Sequence, residues 1–352
     1  MKKYLVIGNA QSVHLVKWVK ELVKYFEVYI ISSTSTHDDI KAIIPQENIY
    51  NLNLPVREEG GNAGILKKIF IVKNIIKKID PDFVNPHYIT SHGFLAALIK
   101  KTSGLKFKLI QSAWGSDILV TPFKSTLYYK ITKFCLNAAD LATSDSEYMT
   151  KVINDISPVK VSTFIFGIDK LPDTDIDEKD ENLFYSNRIL SGNYNIDKVI
   201  RFFKIISDEN PGARLIISND GPLRNELVNL TKELQLENKI RFKGFISLEE
   251  QVSFYGKAQF YISVPTSDST SVSLIEAMAF GCIPIVSDIP ANREWIEENK
   301  NGLFLSSGTG VNDLKSILKK KEDIFNENRK IIAERAIFPK SIKGYVETIN
   351  TL

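Results

Sequence analysis

Short apolar runs alternate with amphipathic stretches along this chain, and the alternation occurs twice. In the first half the pattern predicts strands over 2–8, 26–31, 82–84, 106–112, 141–143 and 161–165. Between them the 3.6-residue period predicts helices, the first with Leu15, Val19, Leu22, Val23 and Phe26 on one face. Others fall at 65–79, 93–101, 125–138 and 147–154, the last opened by a capping box at Ser144-Asp145-Ser146-Glu147. The second half predicts strands at 183–186, 214–218, 240–242, 260–264, 283–286 and 303–305. Helices separate them at 196–207, 223–234, 248–257, 274–280 and 292–298, and helices at 311–334 and 340–350 finish the chain. Strand and helix in strict turn imply parallel sheets of the α/β class, here as two Rossmann-like, doubly wound domains facing across a cleft.

A length of 352 residues suits two cores. The acidic, breaker-rich run 173–181 reads as the linker or its flank. The expected domains are 1–167 and 168–335, with a last helix, 336–352, packing back on the first domain. No stretch approaches the ~20 apolar residues of a membrane span, and the N-terminal MKKYLVIGNA reads as a buried strand rather than a leader. Cys135 and Cys282 stand alone in apolar contexts, which suits a reducing cytoplasm and neither a disulfide nor a metal site.

Net charge is only +3, but the halves differ. Residues 1–165 hold 21 Lys/Arg against 14 Asp/Glu, while 166–352 hold 24 against 28. Lysines cluster at 67, 68, 73, 77 and 78 and again at 100, 101, 106 and 108. They form solvated helix faces or attract an anionic membrane or a phosphorylated acceptor. No aromatic-rich RNA motif or DNA-reading helix accompanies them, so nucleic acid is not an expected partner.

Candidate chemistry centres on Val264–Asp288. There a strand runs into a loop of small hydroxyl residues, Ser269, Thr270, Ser271 and Ser273, at the start of an apolar helix. Helix-start N–H groups and capping oxygens suit a phosphate. Asp268 and Glu276, eight positions apart, add acceptors for sugar hydroxyls, so the combination points to a nucleotide sugar. The first strand lacks GxGxxG, which leaves a dinucleotide fingerprint unsupported. His87, Trp114 and Asp117 fall beyond the carboxyl ends of strands, where open α/β sheets bind ligands. Asp117 could orient an acceptor hydroxyl, accept its proton, or cap a helix. His14 stands on the first turn of the first helix, facing the cleft or packed. Asp173-Thr174-Asp175 matches a metal-binding DxD but does not end an apolar strand, so no metal is expected.

Glu276-Ala277-Met278-Ala279 followed by Gly281-Cys282-Ile283-Pro284 resembles the signature of retaining GT-B glycosyltransferases of the family 4 type. Gly8 with Ser12-Val13-His14, Trp114-Gly115-Ser116-Asp117, Ser186-Asn187-Arg188 and Asn219-Asp220-Gly221-Pro222-Leu223 occur in the expected order, so the resemblance covers nearly the whole chain. It implies that Glu276 binds the ribose and that Asp268 contacts the donor sugar. Arg188 would pair with the diphosphate, and Thr270, Ser271, Val272 and Ser273 would hold the phosphates. Gly221 and Phe245 would line the donor site, with the Gly244-Phe245 backbone beside the base. Asp117 and His87 become candidate catalytic groups, and Gly8, His14 and Trp114 candidate acceptor or cleft residues.

The chain departs from the family pattern at several positions. Asp268 replaces a Glu, Ser269 and Ser271 replace glycines, Tyr194 stands where a phosphate-binding Lys is common, and Trp114 replaces a His. No carboxylate pair suits a glycosidase-like double displacement, so the resemblance implies front-face attack with retention. The expected activity is a cytoplasmic, metal-independent transfer with no cofactor. It runs from a UDP- or GDP-sugar to a glycan or lipid-linked acceptor in cell-surface polysaccharide biosynthesis, with peripheral membrane contact through the basic half. The alternatives are a non-catalytic sugar-nucleotide or glycan-binding subunit and a nucleotide-sugar epimerase of the same fold.

Overall fold

A computed structural model of the chain describes residues 1–54 and 63–352. The chain divides into two compact units, residues 1–164 with 339–352, and residues 165–338.

The first unit is built on β1 (Lys3–Gly8), β2 (Glu27–Ser32), β3 (Ile49–Asn51), β4 (Phe83–Pro86), β5 (Lys108–Ser112), β6 (Leu141–Ser144) and β7 (Val161–Thr163). They form one parallel sheet in the order β3-β2-β1-β4-β5-β6-β7. The central β1 sets the register, Tyr4 lying beside Val28 on one side and Phe83 on the other. Its residues Tyr4 to Ile7 are all buried, as a strand covered by helices on both faces must be. The edge strand β3 was not anticipated, because three residues are too few to show a period. The last helix, Phe338–Asn350, returns to this unit, where the Tyr345 and Tyr4 hydroxyls meet at 2.5 Å and Tyr345 packs on Trp18 and Phe164.

The second unit carries β8 (Asp180–Ser186), β9 (Arg214–Ser218), β10 (Ile240–Gly244), β11 (Ala258–Ser263), β12 (Ile283–Val286) and β13 (Leu303–Phe304). Their order is β10-β9-β8-β11-β12-β13, again all parallel. Phe184, Phe260 and Ile262 face one core layer with Phe203; Tyr185 and Tyr261 face the other with Ala277 and Met278. Gly281 ends the helix Val272–Ala279 with φ of +74°, and a Cβ there would stand 2.0 Å from the Phe325 ring. Only glycine meets both conditions.

Three predicted segments take other forms. The acidic run is not an extended linker: Asp175 caps a 3-10 turn at Ile176–Glu178, and Asp180 already opens β8. The helix expected at 292–298 shrinks to Pro290–Arg293, because the Asn301 side chain takes the Glu297 N–H and donates to the Trp295 carbonyl. The run 311–334 splits into Val311–Leu318 and Lys321–Arg335, which lets Ile317 and Ile332 pack into different core layers.

Candidate functional site

The carboxyl ends of β8 and β11 place a buried polar cluster in the second unit. Arg188 follows β8, and its buried guanidinium donates to Asp268 Oδ2 at 2.7 Å and to Ser271 Oγ at 2.5 Å. The Tyr194 ring lies against its face, 4.3 Å away. Burial opposes the arginine's charge, but Asp268, Tyr261 and Tyr194 together outweigh it and raise the guanidinium pKa above its ordinary value. Burial likewise pushes Asp268 up from the ordinary carboxylate range, against the pull of Arg188 and the Ser269 N–H. With a 2.7 Å contact and a fifth of the Asp268 side chain reaching solvent, the pair is ionised at neutral pH.

Ser271 also caps the helix Val272–Ala279 by accepting from Leu274 N–H. The N–H groups of Val272 and Ser273 therefore begin the helix with no acceptor inside it, next to the cation of Arg188. Ser269 and Thr270 are buried in the same loop. The loop is fixed by a turn across from it. Asn193 accepts from Thr266 N–H on its carbonyl and from Ser267 N–H on its side chain, and its amide donates to the Ser267 carbonyl. Asn195 donates to the Val264 carbonyl and Thr266 Oγ1.

Glu276 sits one helical turn further in. Its Oε2 accepts from Gln251 Nε2 and from the Tyr255 hydroxyl, both at 3.0 Å. That hydroxyl accepts from Asn187 Nδ2, and Asn187 Oδ1 accepts from Tyr261. Burial and then Glu276 hold the Tyr255 phenol well above its usual pKa, so it stays a donor. A relay thus runs from β11 through Asn187 to Glu276 and fixes the carboxylate's orientation. Gly221 approaches the Leu190 backbone so closely that a Cβ would fall 2.5 Å from its carbonyl oxygen, and Phe245 projects into solvent after Gly244.

In the first unit, Gly8 ends β1, where a Cβ would lie 2.7 Å from a Leu15 methyl and 3.4 Å from the His87 Cβ. His87 is buried after β4, its Nε2 3.1 Å from Asn85 Oδ1, with the Trp18 edge 5.4 Å and the Trp114 ring 5.2 Å away. Burial and then His92 lower its pKa to about 3, so the imidazole is neutral and a poor base. Asp117 is also buried; one oxygen accepts from Ile89 N–H at 2.8 Å and the other from Trp114 N–H at 2.9 Å. It ties together two segments whose backbones are unusual, Tyr88 at φ +68° and Gly115 at φ +107°. His14 is exposed, its ring 5.7 Å from Trp114, and Tyr88 stacks on Trp114 at 6.2 Å.

The structure therefore joins Asp268, Arg188, Thr270, Ser271, Val272 and Ser273 around one loop, with Glu276 next to it, and joins His87, Asp117, Trp114 and His14 in the other unit. Sequence reasoning missed Asn193, Asn195, Gln251 and Tyr255. Their partners lie far along the chain, Asn193 and Asn195 bonding Ser267 and Val264 and Gln251 and Tyr255 bonding Glu276, so no local pattern marks them. Asp175 of the DxD motif is spent on its 3-10 cap. Among the described residues no group of three or more His, Cys, Asp or Glu side chains converges as a metal site, and no helix is long and apolar enough to cross a membrane.

Burial raises the Asp117 carboxyl to about 6, although the Ile89 and Trp114 N–H groups pull it down. The folded state thus holds a proton that the unfolded chain releases near pH 4. This group's contribution to stability is complete below about pH 4 and is lost as pH rises to about 6, a change on the order of 3 kcal/mol. Denaturant unfolding from pH 4 to 7 should show that slope in the wild type, and Asp117→Asn should flatten it.

A profile described as Glycosyl transferase 4-like matches residues 3–146, and one described as Glycosyl transferases group 1 matches residues 169–337. The chain is a GT-B glycosyltransferase of the family 4 type. This glycosyltransferase is 26% identical over 259 residues to N-acetyl-alpha-D-glucosaminyl L-malate synthase of Bacillus anthracis, a match covering 69% of the chain and 66% of that relative. It is 26% identical over 301 residues to N-acetylgalactosamine-N,N'-diacetylbacillosaminyl-diphospho-undecaprenol 4-alpha-N-acetylgalactosaminyltransferase of Campylobacter jejuni, covering 80% and 78%. The chain spans less than two thirds of the length of some curated relatives, as with the 59% covered of an uncharacterized glycosyltransferase of Methanocaldococcus jannaschii. In fold it is similar to Anabaena HepE in complex with UDP and glucose, with a TM-score of 0.78 at 14% identity over the full length of both chains. Sucrose-phosphate synthase of Thermosynechococcus elongatus gives 0.81 at 14% identity, covering 100% of this chain and 99% of that one.

Proposed function

We propose that this glycosyltransferase takes its sugar from a UDP-linked donor, retains the anomeric configuration, and delivers the sugar to a saccharide or lipid-linked acceptor in cell-surface polysaccharide synthesis in the cytoplasm. The observation that carries this is Arg188, a buried cation held beside a capped helix start and facing a carboxylate. A leaving diphosphate needs its growing charge neutralised, and a fixed guanidinium with helix N–H groups does this without reorganising. We assign that neutralisation to Arg188 rather than to a metal ion. Support for UDP comes from the relatives' side: HepE was solved with UDP and glucose, and pneumococcal GtfA with UDP and GlcNAc. Support for the acceptor class comes from the undecaprenol-linked substrate in the name of the Campylobacter relative.

In this reading Glu276 receives the ribose hydroxyls, its carboxylate pre-aimed by Gln251 and Tyr255. Asp268 trades part of its contact with Arg188 for the donor sugar when phosphate arrives. His87, a neutral imidazole, and Asp117, held by two backbone N–H groups, shape the acceptor side, and the leaving diphosphate takes the acceptor proton. Calorimetry should show UDP binding more tightly than GDP or ADP, unaltered by a chelator. Proton NMR of sugar released by slow hydrolysis of a UDP-sugar should show the donor's own anomer first. The inverted anomer, or tighter binding of GDP, would overturn the respective part.

A further inference from the structure

The first unit carries an unusual surface along one of its helical layers. The helix Ile69–Ile79 buries Val72, Ile76 and Ile79, yet Phe70 is 75% and Ile71 47% exposed at its start. The helix Thr126–Ala138, entered through a 3-10 turn at Thr121–Lys124, leaves Phe123 63% and Leu127 66% exposed, again at its start. The helix Phe94–Ser103 lies between these two and touches both. Ile69–Ile79 leads from β3 to β4 and Thr126–Ala138 from β5 to β6, so each runs back along a parallel sheet and begins at its carboxyl edge. Four bulky apolar tips thus stand along one edge of one helical layer.

Scattered exposed apolar residues are ordinary, so the tips alone would mean little. Their charge setting is what distinguishes them. From 63 to 79 the chain carries Lys67, Lys68, Lys73, Lys77 and Lys78 and no acid, and from 118 to 139 it carries Lys124, Lys130 and Lys133 and no acid. Following the helices, the next carboxylates are Asp80 after one and Asp140 after the other, and Asp140 is paired with Lys100; Asp117, just before the second stretch, is buried. Among the described residues none of those eight lysines has a carboxylate partner. Two stretches whose own charges are all cationic and whose projecting groups are Phe, Ile and Leu complement an anionic lipid headgroup layer with acyl chains beneath it.

We propose that this layer is the docking face of the first unit for an anionic membrane. Phe70, Ile71, Phe123 and Leu127 enter the headgroup boundary, and the lysines lie over lipid phosphates. This goes beyond the proposed donor chemistry and does not depend on it. A soluble protein partner would be expected to answer eight cations with carboxylates, and nucleic acid would leave the apolar tips unused.

The test is co-flotation of the full chain with vesicles of phosphatidylcholine alone and with vesicles containing one third phosphatidylglycerol. Wild type should float with the anionic vesicles only and should be released by salt. Phe70→Ser with Phe123→Ser and Leu127→Ser should weaken flotation by about tenfold or more, as should Lys67→Gln with Lys68→Gln and Lys124→Gln. All six changes lie on the surface; unaltered thermal unfolding and UDP binding confirm intact folds. Phe70→Trp and Phe123→Trp report insertion directly, through blue-shifted emission on adding anionic vesicles. No flotation, flotation equal in the variants, an unshifted tryptophan, or the same variants abolishing self-association or duplex DNA binding instead would overturn the proposal.

Discussion

Arg188→Ala should eliminate detectable transfer and visibly destabilise the second unit. The substitution removes the cation facing the proposed diphosphate, and it also strands Asp268, which burial already pushes above the ordinary carboxylate range. Breaking a buried pair by deleting one partner costs roughly 3–5 kcal/mol, because a desolvated charge is left without compensation. Two measurements separate the effects. Denaturant unfolding reports the stability loss, and Arg188→Ala combined with Asp268→Asn should restore most of it. Calorimetry with UDP reports the binding loss, which the double substitution should leave uncorrected. Arg188→Lys should rescue little, since one ammonium cannot reach Asp268 and Ser271 together while presenting a flat face to Tyr194. If the double variant binds UDP normally, Arg188 has only a structural task.

Glu276→Ala is expected to lower transfer by at least about 100-fold, since each hydrogen bond to a charged group contributes about 1.5–3 kcal/mol. Here the fold should tolerate the change better than at Arg188. The carboxylate is half-buried; of the groups that lose it, Tyr255 keeps Asn187 and the Ser273 carbonyl, and Gln251 is itself half-buried, within reach of water. Glu276→Gln is the sharper probe. It keeps the size but offers an amide, and if ribose hydroxyls donate to this position the donor KM should rise more than kcat falls. Unchanged transfer in Glu276→Ala would remove this residue from the donor site.

The contrast between these two residues shows what could be read from the sequence. Glu276 stands in a helix whose apolar period and flanking loop are local, so its element and its candidate role were both visible within a few residues. Arg188 was assigned by resemblance, but its environment was not visible. Asp268 lies 80 positions away and Tyr194 belongs to a different turn, and only the closure of a parallel sheet brings them together. Asp117 shows the opposite outcome. A carboxylate at a strand end invites a chemical role, yet its oxygens are occupied by Ile89 and Trp114 N–H groups, donors that no side-chain pattern reveals. Helix boundaries failed for a similar reason at 292–298, where the side chain of Asn301 replaces backbone partners. Parallel pairing was accessible because strand and helix in strict turn require crossover connections.

The hydroxyl contact between Tyr4 and Tyr345 bears on how the chain is made. A chain emerging from the ribosome has all seven strands of the first sheet long before residue 345 is translated, but β1 still lacks the helix that covers Tyr4, Trp18 and Phe164. Domains ordinarily fold in the order in which they are synthesised. This molecule reverses the last step: its opening strand is completed by its closing helix, after the whole second unit has been produced. From the completion of β7 until that helix is made, a nascent chain therefore leaves an apolar aromatic surface open to chaperones.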